Sequence, residues 1–188
     1  MAYPTPTESL DLSRLRPEVE RLTAHAQKHG LTLIDPEETA AQIPPVLAEL
    51  TNEFGGVIVD DDFAVNLLIE ERTDLGPYTL LGDPDEYYPL YEGAEDAVIL
   101  TIGPDGTAGG VWFIDDELDL HQLAASLEDY LARVADAFEA VGADSGERVR
   151  LHLLNHALQT VSVLERVDDL DATVRFSADG QRAEIVRA

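Results

Sequence analysis

The chain has no cysteine, which removes disulfides, thiolate metal sites and cysteine nucleophiles together. Lysine is nearly absent too: Lys28 stands alone, and every other cation is an arginine or a histidine. No apolar run approaches the ~20 residues that cross a bilayer, so no membrane span is expected. The opening stretch MAYPTPTESLDLSR has neither a basic n-region nor an apolar h-region. A secretory signal is therefore not expected, and a reducing, cytoplasmic setting fits both observations. Positive charge is the largest deficit. Twelve Lys and Arg against 38 Asp and Glu leave a formal charge of −26. Such a charge repels phosphate backbones and anionic headgroups, so neither nucleic acid nor membrane is an expected partner. A basic protein is, because it would be steered inward.

What is present is enough for a core. The 188 residues are 45% hydrophobic, which suits one domain of ordinary size, or one domain with an appendage. The negative charge is unevenly placed. Residues 55–129 hold 19 acids and one base, Arg72, whereas residues 1–54 hold nine acids and four bases. Acidity spread for solubility or salt tolerance would be more even. Crowding it costs self-repulsion that a cationic partner would relieve.

Pattern then gives the elements. Residues 1–12 read as a loose leader. Ser13 can cap a helix through His29, with Leu15, Val19, Leu22 and Ala26 on one face and Gly30 ending it. IPPVLAELTNEFGG (43–56) reads as a second helix, opened by prolines and closed by glycines. VIV and FAVNLLI read as strands joined by Asp60, Asp61 and Asp62, a residue type that tolerates tight turns. Residues 73–96 read as a long structured loop with at most short strands. AVILTI and GGVWFID are further strands joined through GPDG. Leucines at 120, 123, 127 and 131 with Val134, Phe138 and Val141 predict a helix over 120–141, and residues 147–166 predict another. ATVRF, SADG and AEIV form a terminal hairpin. The fold class expected is α+β, mainly an antiparallel sheet flanked by helices, with a C-terminal helix and hairpin (143–188) packed on the same domain.

Catalytic chemistry is poorly represented. Two HxxxH pairs, His25 with His29 and His152 with His156, each put two imidazoles on one helical face. Neither contains the glutamate of HExxH, and a joint site would need the two helices to pack together; a metal-dependent hydrolase built on them is the third reading. The Asp60–Asp62 run and FIDDELD lack EF-hand spacing, no phosphate loop or GxSxG elbow occurs, and no cofactor is expected. Trp112, mid-strand, reads as a core anchor. Tyr87 and Tyr88 beside Asp83, Asp85 and Glu86 read either as interface anchors or as cover for the end of the sheet.

Ile43-Pro44 opens the second helix, Gly55 and Gly56 follow it, GPDGTAGGVWFIDDE supplies a turn and an aromatic strand, and Ser126-Leu127 starts a late helix. That order of parts resembles the SUKH superfamily. The likeness covers residues 14–142. It implies an α+β fold and no shared catalytic residues; many bacterial SUKH members are immunity proteins that bind and neutralise toxin domains, and others are regulatory. The leading expectation is thus a non-enzymatic acidic module for a basic partner. Its contact residues would be Asp60, Asp61, Asp62, Asp83, Asp85, Glu86, Tyr87, Tyr88, Asp115, Asp116 and Glu117. A regulatory or scaffold protein with a cellular basic partner is the alternative.

Overall fold

The computed structural model describes residues 3–35, 43–68, 81, 83–117, 119–162 and 172–187. Helix α1 (Leu12–His29) is capped by Asp11 and not by Ser13, because the Asp11 carboxylate accepts the Ser13 N–H and so places Ser13 inside the first turn; the helix ends at Gly30 with φ 67°. The apolar stripe read from sequence is the buried face: Leu15, Leu22 and Ala26 are inside. After the short β1 (Thr32–Leu33), a 3-10 turn at Pro45–Leu47 runs into α2 (Ala48–Glu53). The residues Leu47, Leu50 and Phe54 are buried, as their spacing predicts. β2 (Gly56–Asp60) and β3 (Phe63–Asn66) form a hairpin whose turn is Asp61–Asp62, and β1 pairs on the outer edge of β2. The aspartate run is therefore a turn, as its chemistry suggests.

The larger sheet is a five-stranded antiparallel meander: β4 (Tyr87–Glu92), β5 (Ala97–Ile102), β6 (Ala108–Ile114), β7 (Asp119–Ala124) and β8 (Gln159–Ser162), side by side in that order. β4 is a full strand inside the stretch expected to be mostly loop; residues 73–80 and 82 of that stretch lie outside the described residues. Pro89 disguised it. Proline is tolerated because β4 borders the sheet and its register slips between Pro89 and Tyr91.

Two expected helices are shorter than predicted. Residues 120–124 are strand, not helix: Leu120 pairs with Ile114 and lies on one face of the sheet, while Leu123 belongs to the core on the other. Their spacing of three imitates a helical period but in a strand places them on opposite faces. Helix α3 (Leu127–Val141) begins after Ser126, whose hydroxyl accepts the Asp129 N–H. Helix α4 (Gly146–Asn155) stops at His156, and Gln159–Ser162 turns back into the sheet as β8; the predicted end at 163–166 lies outside the described residues.

Each face of the larger sheet has its own core. One face carries Leu100, Val111, Phe113 and Leu123 against α1, α2, α3 and α4. The opposite face carries Ile99, Trp112, Ile114 and Leu120 against Val174, Phe176 and Ile185 of the C-terminal hairpin, β9 (Ala172–Phe176) and β10 (Ala183–Arg187). This is why AVILTI has no polar face: every position of β5 is buried. The Trp112 indole N–H donates to the Gly180 carbonyl at 2.8 Å and seats the hairpin turn. Gly180 has φ 71°, and a Cβ there would stand 2.6 Å from the Gly110 nitrogen, so only glycine fits.

Residues 3–11, expected as a loose leader, lie along the sheet. The Tyr3 hydroxyl donates to the Tyr87 carbonyl at 2.8 Å, and the Thr7 N–H donates to the Asp105 carbonyl at 3.1 Å. The fold is α+β: among the described residues there are four α-helices and three antiparallel sheets. Among the described residues no helix is long and apolar enough to cross a membrane.

Candidate functional site: an acidic end of the sheet

Antiparallel pairing places alternate turns at the same end of a meander. Ala97 pairs with Ile114, so the β4–β5 turn (93–96) and the β6–β7 turn (described at 115–117) are neighbours. The β2–β3 turn joins them. The Tyr91 hydroxyl donates to the Asp61 carbonyl at 3.2 Å, and one Arg150 nitrogen reaches both the Asp62 carbonyl (3.2 Å) and the Asp96 carboxylate (3.3 Å). Three turns far apart in sequence thus bring Asp60–Asp62, Glu95, Asp96 and Asp115–Glu117 to one end of the molecule.

These carboxylates divide by task. Asp60 accepts the Asp62 N–H at 2.9 Å and the Gly146 N–H at 2.8 Å, tying the turn to the first residue of α4. Asp115 accepts the N–H groups of Glu117 and Asp119 through one oxygen and meets His121 Nε2 at 2.9 Å through the other. Both hold the structure. By contrast, Asp61, Asp62, Glu95, Asp116 and Glu117 are exposed, and no side-chain ion pair among the described residues occupies them. They are the groups a visitor would meet.

Asp96 and Arg150 form the half-buried centre, and neither was singled out from the sequence. Burial, the largest influence, raises the Asp96 carboxyl above its usual 3.8; Arg150 pulls it down, while Asp116 and Asp62 push it up again. The same neighbourhood raises the Tyr91 phenol, burial first and the Asp96 charge second. The signal for Asp96 was the acidic GAED turn ahead of the apolar strand. Arg150 had none, because only the fold carries α4 to the turns.

The other expected contact residues lie elsewhere. Asp83, Asp85 and Glu86 belong to the 3-10 turn Pro84–Glu86 and its cap at the opposite end of the sheet, where Tyr87 pairs with Thr101. Tyr87 and Tyr88 are 4% and 2% exposed, on opposite faces of β4, and the Tyr88 hydroxyl donates to the Leu67 carbonyl at 2.9 Å. They cover the sheet and are not surface anchors. A six-residue strand with a bulge needs both faces filled, which an aromatic pair does at once.

The two histidine pairs stay apart. Each packs against α3: His25 Nε2 lies 3.6 Å from Glu139, and His152 and His156, with ring centroids 4.4 Å apart, border a shallow cleft with Arg133 and Asp136. Burial and the neighbouring His156 lower His152. Among the described residues, one group brings three ligand-type side chains within 4.8 Å: Asp115, Asp119 and His121. There the His121 and Asp115 atoms already bond each other, and His121 Nδ1 pairs with the Thr160 hydroxyl at 2.9 Å across β7 and β8.

Compared with known proteins, the chain matches no family model, no curated protein and no solved structure. The fold and the distribution of charge are the features from which function has to be argued.

Proposed function

We propose that this chain is a non-enzymatic, acidic protein-binding module of the immunity type. Acting in the cytoplasm, it would bind a basic toxin or effector domain and cover that domain's active surface. The observation that carries this reading is the meeting of three separate turns at one end of the sheet, with five exposed carboxylates around a half-buried Asp96–Arg150 pair. Like charges held together raise the energy of the free protein, and a basic surface relieves it. Their contribution is fast, salt-sensitive encounter. A SUKH-like body is part of the same proposal. Its support is the sequence of parts: a proline-opened α2, the glycines at 55 and 56, an antiparallel meander, then α3 capped by Ser126.

The test is affinity capture from extract of the native cell, wild type beside Asp61→Lys/Asp62→Lys/Asp116→Lys. Asp60 is left intact because it anchors α4. A basic protein retained by wild type, released at about 0.5 M salt and lost by the variant, supports the reading. Equal retention by both, or no basic protein retained, overturns it. A captured toxin encoded beside the chain marks the immunity role; a basic protein of ordinary cell physiology marks the regulatory one.

A further inference from the structure

Asp83, Asp85 and Glu86 overlook a cleft of about 450 Å³ at the end of the sheet away from the acidic turns. Its walls are of two kinds. Ile102, Pro104 and Phe176 supply apolar surface, with Pro4 of the N-terminal segment closing one side. The three carboxylates supply the rim. Asp83 uses one oxygen to accept the Asp85 N–H at 2.9 Å, and no ion pair among the described residues involves any of the three acids.

Such a lining selects against most ligands. Anions are repelled by the rim, and a purely apolar group would strip water from carboxylates without pairing them. An amphipathic cation satisfies both walls, with its hydrocarbon stem along the apolar side and its charge at the carboxylates. Guanidinium suits this better than ammonium: it is planar, is weakly hydrated, stacks on aromatic rings such as Phe176, and takes carboxylates by two parallel bonds. The volume falls within the roughly 300–1,000 Å³ of ligand clefts, room for more than one side chain.

From this lining we infer that the cleft is a docking site for an arginine side chain presented on a segment of a partner polypeptide. The site is separate from the acidic turns, so it stands or falls independently of the reading given to them.

The test uses the full-length protein, 15N-labelled, in about 50 mM salt, where the Debye length is still over 10 Å. The probe is the capped tripeptide acetyl-Gly-Arg-Gly-amide, with the citrulline peptide as its uncharged isostere. The expected result is saturable shifts at the amides of Asp85, Ile102, Gly103 and Phe176 with arginine and not with citrulline. Asp85→Asn/Glu86→Gln is expected to weaken that binding about fivefold or more, as loss of two half-exposed charge contacts implies. Asp85 is half-buried and Glu86 exposed, and an unchanged spectrum away from the cleft verifies that the variant is folded. Equal shifts with citrulline overturn the assignment, as do arginine shifts confined to the turns at 61–62, 95–96 and 116–117, or binding undiminished in the variant.

Discussion

Asp60 and Asp61 are adjacent and chemically identical, yet one is bonded to two backbone N–H groups and the other projects into solvent. Asp60→Ala strands the first N–H of α4 and should cost about 1–3 kcal/mol. Asp61→Ala should change stability by no more than about 0.5 kcal/mol. Urea unfolding of the two variants measures the difference. Asp96 gives a second residue-scale prediction. Its carboxyl, raised by burial, protonates in the folded protein before it would in the unfolded chain. Its contribution to stability is thus gained as pH falls through the raised value and lost as pH rises above it. Carboxyl-carbon NMR should place the Asp96 midpoint above 3.8 and that of Asp105, held down by its Thr107 bonds, below it. Arg150→Leu should move Asp96 further up, since Arg150 is the larger of the influences that lower it.

Among elements, the sequence is legible wherever a local signal agrees with the tertiary demand. α1, the Asp61–Asp62 hairpin, the GPDG hairpin and the terminal hairpin follow from caps and turn residues alone. Legibility fails where the bulged strand β7 imitates a helical period, where Pro89 hides a border strand, and where α4 gives way to β8. In each case the deciding partner is another strand: β6 for Leu120, β5 for Pro89, β7 for Gln159. The candidate site behaves likewise. The acids could be counted from the sequence, but which turns share an end, and that Tyr87 and Tyr88 are interior, depend on strand order. The close approach of Gly146 to the β2–β3 turn is a fit of longer range. A Cβ there would lie 2.7 Å from the Phe63 nitrogen, so Gly146→Ala should lower the melting temperature by several degrees, as about 1–3 kcal/mol of strain implies.

For the molecule as a whole, the formal charge of −26 is the dominant electrostatic fact. Crowded carboxylates repel each other across the turns, and counter-ions screen that repulsion within roughly 10 Å at 0.1 M salt. Thermal unfolding should therefore shift upward as sodium chloride is raised from about 0.01 to 0.3 M, the range over which screening changes most. Asp61→Asn/Asp116→Asn should shrink that shift. A melting temperature indifferent to salt would mean that the folded protein feels no such crowding.

Trp112 is the chain's single indole, and it lies at the seam between the sheet and the C-terminal hairpin with its N–H committed to Gly180. The protein accordingly contains an intrinsic optical gauge of one interface only. Should the hairpin lift while the helices stay in place, tryptophan emission would move to the red before any helical ellipticity is lost. Coincident changes in the two signals would instead show that both faces of the sheet melt as one.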